Sequence, residues 1–540
     1  MIYYYKANSS KSIIPFRIWV SAFFILLTAW SCQREEQEEE EVLTVLKSST
    51  KSLTYFAFLS AENPHYLTED VIFDLSDTTN LIVSGRIPNY VAIDSLIATF
   101  KTTGVAVSVN NITQHSDTTA NDYSSGLKYV VQAENGETNE CTIKVQVFTG
   151  LPVLTIETEN GVPIVSKYDY VKATYVLDGF GILPDVSGIL EIQGRGNSTF
   201  QMPKKPYQMK LDKKTAMLGP TFGQDKKWLL LANYSDKTML RTETAFAMSR
   251  LSNLDFTPAS QFVELFLNGS YNGTYQLMQK IEVSANRVNI NENGFLLEVD
   301  QLTRMTDDDV YFETSRHLFN IKEPELAVYG TQYDQIKNFI TEAEDALYGP
   351  DFKDPENGYA RYLDIESFVD WYLINEISRN NDAVFFSSCY MNLAPGGKLK
   401  MGPVWDFDIA FGNVDYNGNE SPTGFYIKNA DTWIKRLFED PAFASLVKTR
   451  FKYFLSNKAS IIKQIDSNTS TLHFSAAENN DRWNTMGIYV WPNAVVFDTY
   501  EEETRYLKQW INVRMSWLAT AFENIQNSSA KETNEKGQLR

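Results

Sequence analysis

Between Leu43 and Thr149, apolar and polar positions alternate with a period of two, and helical repeats are scarce. The alternation predicts short strands at Ser52–Leu59, Val71–Leu75, Leu81–Pro88, Leu96–Phe100, Val105–Asn110, Tyr129–Gln132 and Cys141–Val147. Asn89, Asn110-Asn111 and Asn135-Gly136 supply turns between most of them. Short strands at this spacing predict a small β-sandwich. Gly150-Leu151-Pro152 breaks the pattern as a linker, and Val153–Thr158 starts a new strand.

Further on, Leu190–Ile192 and Tyr207–Leu211 read as strands flanking a loop with Gly194, Arg195 and Gly196. Trp228–Tyr234 reads as a buried strand, followed by a helix start at Ser235-Asp236-Lys237 with Ser235 as its cap. Met239, Leu240, Ala247 and Leu251 form its apolar face, and Arg241 sits in its first turns. Phe262–Leu267 and Gly273–Met278 predict a hairpin across Asn268–Asn272. Phe295–Asp300 is another strand, with Glu298 and Asp300 on one face. Asp364 caps a helix from Ile365 to about Arg379. Helices follow over Trp433–Leu455 and Glu501–Phe522, and the polar tail 526–540 is expected to fray.

The most informative stretch is Asp382 to Asp408. Pro395-Gly396-Gly397 is a strong turn signal between the apolar run Ala383–Leu393 and Lys398–Val404. Folded as a hairpin, it places Asp382 at its open end and returns Asp406 and Asp408 there. Converging carboxylates suit a divalent cation and a phosphoryl donor. The alternative is that they cap strand ends and face water. In the Gly194–Gly196 loop, glycines let backbone amides approach an anion, and Arg195, Lys205 and Lys210 supply positive charge. The bland reading of that loop is a tight hairpin with surface lysines.

The N-terminus has another character. Lys6, Lys11 and Arg17 precede the apolar run Ile18–Trp30, which is too short to span a bilayer and has the layout of a signal peptide. Ala29-Trp30-Ser31-Cys32 resembles the lipobox of bacterial lipoproteins, although Leu is usual where Ala29 stands. That resemblance implies lipidation of Cys32 and a membrane contact through the anchor alone. The run Glu35, Glu36 and Glu38–Glu41 is a solvated, acidic tether. It resembles the signal that exports some lipoproteins to the outer surface, so the outer membrane or cell surface is the expected location. The expected segments are 1–31 signal peptide, 32–42 tether, 43–149 sandwich, 150–525 main domain and 526–540 tail.

Composition narrows the classes. At 540 residues the chain should form two or three domains, and 43% hydrophobic content is globular. A net charge of −19 argues against a broad nucleic-acid surface. Cys32, Cys141 and Cys389 show no metal spacing, and four scattered histidines make a histidine zinc site unpromising. Outside the cytoplasm, Cys141 and Cys389 should be buried. Neither a Gly-x-Ser-x-Gly elbow nor a Walker A motif occurs.

Two resemblances follow from these residues. The stretch from Leu96 to Gly136 resembles an Ig-like module, which implies a spacer or binding role. Between Val153 and Phe522 the chain resembles the spore-coat protein H (CotH) kinase family. The pieces, in order, are Gly194-Arg195-Gly196-Asn197-Ser198-Thr199 with Lys204-Lys205-Pro206-Tyr207, Leu240-Arg241, Asn268-Gly269 with Gly273-Thr274-Tyr275, Leu297-Glu298-Val299-Asp300, Asn381-Asp382, and Val404-Trp405-Asp406-Phe407-Asp408.

This second resemblance implies an α+β, atypical protein-kinase-like fold that uses ATP and Mg²⁺, or Mn²⁺, to phosphorylate Ser or Thr of proteins, including itself. It implies Asp382 as the catalytic aspartate and Asp406 as a metal ligand, with Asp408 a second ligand or a structural neighbour. Arg195, Lys205, Lys210 and Arg241 are its candidates for the ATP phosphates. Glu298 would orient one of these cations or join the metal shell. Ser387 stands where ordinary kinases carry a metal-binding Asn, with Asn381, Asn392 and Asp408 as candidate replacements. Two other readings remain open: a surface adhesin on a kinase-like scaffold, and a glycosidase using paired carboxylates.

Overall fold

The computed structural model describes residues 47–537, apart from 68–69, 74, 76–81, 88–90, 148, 292 and 327–328. The signal-like segment, Cys32 and the acidic run lie outside the described residues.

Among the described residues, the period-two region forms two main sheets and a small third one, in which Leu96–Ile97 pairs with Ala120–Asn121. Leu53–Phe58 pairs with Val71–Ile72 and Thr99–Thr102. The second sheet runs in the order Ile82–Ile87, Thr138–Val147, Leu127–Gln132, Ala106–Val109, Ile112–Thr113. Phe56 and Phe58 from one sheet share a core with Val107, Tyr129 and Ile143 from the other. Ala106–Val109 and Leu127–Gln132 bury every second residue, as alternation requires, whereas Phe56, Ala57 and Phe58 are all buried. Cys141 is free and buried, as is Cys389.

After the linker, seven strands close into a barrel. Its order is Val153–Thr158, Val171–Asp178, Val186–Gly194, Tyr207–Thr215, Asp225–Leu231, Ser270–Gln279 and Ser260–Leu267. Neighbours are antiparallel except at the seam, where Val153–Thr158 runs parallel to Ser260–Leu267. Closure leaves no exposed edge, and Ile156, Tyr175, Met209, Trp228 and Leu277 fill the interior.

The predicted helix at Ser235 begins later, spanning Arg241–Arg250. Asp236 explains the delay. Its carboxylate accepts from Thr238 N at 3.1 Å and Arg241 N at 2.9 Å, and Met239 takes a positive φ of 58°. That turn is incompatible with a helix.

A second sheet follows in the order Tyr311–Glu313, Leu318–Glu323, Phe295–Asp300, Cys389–Leu393, Lys400–Met401. The predicted hairpin is present, with Met391 opposite Met401. Its first strand is shorter than the apolar run suggested, because residues 383–388 turn instead. Phe385 and Ser388 have φ of 59° and 58°, and Phe385 packs on Trp371 and Trp433. The apolarity of this run reports burial, not extension.

Helix Ile365–Ser378 is the centre of the helical lobe. Asp364 caps it, accepting from Ser367 N at 3.0 Å. The helix is apolar nearly all round because it is enclosed by Arg241–Arg250, Pro441–Ser456 and Tyr500–Gly537. That last helix continues through most of the tail expected to fray.

The charges on the central helix are paired. Arg450 grips Asp370 through two bonds of 2.6 and 3.0 Å. Arg514 and Glu376 are both fully buried and 2.7 Å apart. Arg514 also donates to the backbone oxygens of Glu376, Pro422 and Gly424. Glu376 in turn accepts from Tyr426 N and Lys428 N. Removing one partner of a buried pair strands the other charge, at a cost of about 3–5 kcal/mol. Arg514→Ala should lose about that much in urea unfolding, and Arg514→Lys should not restore it, because an ammonium lacks the planar fork. Wild-type stability in Arg514→Ala would contradict this role.

Candidate functional site

The barrel, the second sheet and the segment after the central helix meet at a cleft of about 690 Å³. The helix ends where Arg379 turns left-handed, with φ of 52°. Asn380 then ties the two acid-bearing segments together: its Nδ2 donates to Asn375 Oδ1 at 3.1 Å and to Asp406 O at 3.2 Å. Asp382 follows. Its carboxylate accepts from Asn381 Nδ2 at 2.9 Å and from Ser387 Oγ at 3.2 Å.

Asp406 has a φ of 62°. Aspartate tolerates this region better than most residues, and strain of this kind gathers at functional sites. Solvent reaches Asp406 through the cleft, yet protein rings it. Burial raises its pKa, the Arg195 guanidinium pulls it down, and Asp382 pushes it up again. Asp408 is held well above the usual carboxylate range, first by burial and then by Asp406, Asp236 and Asp382. The three predicted carboxylates thus feel one another across the cleft, and an oxygen-seeking cation would relieve their repulsion. Among the described residues, no group of three or more His, Cys, Asp or Glu is placed to hold a metal by itself.

Arg195 reaches the cleft from the opposite wall, 5.6 Å over the Trp405 ring and so beside Asp406. Its loop needs glycine. Gly196 has a φ of 84°, and a Cβ there would lie 2.2 Å from Thr199 Oγ1. Lys167 bridges to the same loop, donating to Asn197 Oδ1 at 3.1 Å.

Glu298 and Asp300 both line the cleft, as their spacing predicts. Glu298 meets Lys322 Nζ at 3.5 Å. Lys322 escaped the sequence reading, although Asn320 and Lys322 alternate on a strand beside Glu298. Gln193 Oε1, Asn233 Nδ2 and Asn320 Oδ1 belong to cleft-lining residues and have no hydrogen-bond partner.

Three of the proposed phosphate cations lie elsewhere. Lys205 Nζ donates to Phe200 O at 2.7 Å. Lys210 sits half-exposed on its strand, 3.2 Å from Glu191. Arg241 is fully buried against Asp236 at 2.5 Å. Lys204, the neighbour of Lys205, does border the cleft; burial pulls its pKa down to about 7. Ser387 is buried and turned to Asp382, and Asn392 is buried donating to Gly402 O. Asn381 borders the cleft, but its Oδ1 already accepts from Asn417 and Asn419.

No curated protein matches the chain significantly. A solved structure from Bacteroides fragilis NCTC 9343, provisionally named a secreted protein, shares 17% identity over 18% of this chain and 95% of that one, with a TM-score of 0.13. Another, from Bacteroides thetaiotaomicron VPI-5482 and provisionally named a glycoside hydrolase, shares 14% identity over 48% of this chain and 81% of that one, with a TM-score of 0.12. Similarity this low carries no argument about fold or activity. The sequence profile described as CotH kinase protein matches residues 192–518, from the Arg195 loop through all three cleft aspartates into the last helix. Matched over more than half its length, the chain belongs to the CotH kinase protein family.

Proposed function

We propose that the protein is an ATP- and Mg²⁺-dependent atypical protein kinase, acting on Ser or Thr of itself or of secreted or surface proteins. The observation that carries this reading is the convergence of Asp382, Asp406, Asp408 and Arg195 on one cleft. In it, Asp382 orients the acceptor hydroxyl and takes its proton. The hydrogen bonds from Asn381 and Ser387 fix that carboxylate before the acceptor arrives. Arg195 and the amides of its glycine loop neutralise phosphate oxygens. Lys322, steadied by Glu298, adds a second cation, as a Lys–Glu pair does in ordinary kinases.

Asp406 and Asp408 would hold the divalent ion, which supplies charge neutralisation at the transferring phosphoryl group. Mg²⁺ keeps several waters and takes one or two carboxylates beside phosphate oxygens, so two crowded acids suit it, and Mn²⁺ also. Ser387, spent on Asp382, is not among the ligands; Asp408 fills that role in this reading.

The barrel and helical lobe around the cleft are read as a diverged kinase-like domain, and the preceding sandwich as an Ig-like spacer. Lipidation at Cys32 would anchor the protein at the outer membrane or cell surface.

Asp406→Ala should abolish self-labelling from γ-labelled ATP. It should also abolish the Mg²⁺-dependent thermal shift by nucleotide, about 2.7 kcal/mol at ~100 times the dissociation constant. Equal labelling of wild type and variant would sink the reading. Asp408→Asn tests the price of the site. The Asp408 carboxyl titrates higher folded than unfolded, so its charged form penalises folding, fully so above the raised value. The variant should therefore melt about 2 °C higher near neutral pH. That gain should vanish below about pH 4, where both forms are neutral, and nucleotide should no longer shift the variant with Mg²⁺. An unchanged or lower melting point near neutral pH would refute it.

A further inference from the structure

The cleft wall beside Asp382 is aromatic. Tyr416 and Trp491 stack with centroids 6.3 Å apart and planes 15° from parallel, and both border the cleft. Trp491 remains 50% exposed, a large apolar face left in water. Its surroundings are fixed. Asp415 N donates to Pro492 O at 3.0 Å, and the Tyr489 hydroxyl donates to Asp415 Oδ2 at 2.8 Å. Asn417 Nδ2 donates at 2.9 Å to Asn381, the residue that also holds Asp382. The platform therefore belongs to the Asp382 side of the cleft. Burial and the Asp382 charge together push the Tyr416 hydroxyl up to about 12.

We infer that this platform seats a carbohydrate, a further acceptor class whose ring lies on Trp491 and whose hydroxyl reaches Asp382; the inference rests on the phosphotransferase reading. A sugar ring shows a face of C–H bonds bordered by hydroxyls. The platform offers the complement: a flat ring bordered by exposed Asp415, Asn417 and Tyr489. On the ring face of Trp491 itself a peptide has less to hold. Strand addition needs an open sheet edge, and Cys389–Leu393, the strand that follows Asp382, is paired on both sides. A helix needs an apolar groove, whereas acids, amides and cations line much of this cleft. In the reaction, the sugar hydroxyl gives its proton to Asp382, and its oxygen bonds to the γ-phosphorus of the nucleoside triphosphate. The bond from that phosphorus to the bridging oxygen breaks, and the diphosphate leaves with the electron pair. The product is a sugar phosphate monoester.

The full chain is titrated with tetrasaccharides of β-linked glucose and of β-linked N-acetylglucosamine, by saturation-transfer NMR without nucleotide. At least one should bind. Trp491→Ala should remove the signal without changing the melting point, and Trp491→Phe should keep it. With γ-labelled ATP and Mg²⁺, the bound sugar should gain label, and Trp491→Ala should raise its KM about tenfold while sparing the KM for ATP. Labelling of Ser peptides with no sugar binding, or sugar binding indifferent to Trp491→Ala, overturns this inference alone. Loss of ATP affinity in Trp491→Ala would assign the rings to the nucleotide and overturn it too. Sugar binding with no transfer to any acceptor overturns the phosphotransferase reading and the acceptor role with it.

Discussion

The buried pair Arg514–Glu376 is the constraint on which the candidate site depends. Five guanidinium bonds converge on the end of the central helix and on the loop at Pro422–Gly424. Two residues past that helix end stands Asn380, which clasps the backbone at Asp406. The position of both acids therefore follows from where the helix stops. A hydrophobic substitute for the pair could match its packing but not its direction. Only a charged fork reads the helix terminus and the loop together. The cost of burying the charges is offset because every donor of Arg514 finds an acceptor.

The cleft itself shows the opposite economy. Asp406 and Asp408 are crowded, the pull of Arg195 and Arg304 on Asp406 does not outweigh its burial, and both acids resist ionisation. A fold selected for stability alone would have paired or removed them. The lobe satisfies Glu376 and Asp370 thoroughly and leaves its cleft acids in mutual repulsion. That contrast is what the proposed cation site would use.

Much of this was legible in the sequence where the signal is local. Asp364 caps the helix its position predicts, the turn at Pro395–Gly397 makes its hairpin, and period two finds most strands of the first region, missing Ile112–Thr113 and Ala120–Asn121. Glu298 and Asp300 share a face because strand geometry requires it. What failed was partner choice. Lys205, Lys210 and Arg241 lie near the glycine loop or its family pattern. Their partners Phe200, Glu191 and Asp236 are set by register and turn geometry, which spacing does not reveal. Lys322 and the Tyr416–Trp491 stack join the site from separate segments. Nothing along the chain announces such meetings.

The parallel seam of the barrel has one further consequence. Before closing at Ser260–Leu267, the chain leaves the barrel to build Arg241–Arg250. Met239, Leu240 and Phe246 of that excursion are embedded in the core of the helical lobe, together with Leu229, Phe262 and Met278 from barrel strands. The two halves are stitched through shared packing, not joined by a linker. A jaw-like hinge between them would have to tear that core open. Under the proposed function, ligands would enter through the mouth as it stands, with discrimination built into the walls of the cleft instead of into its closure.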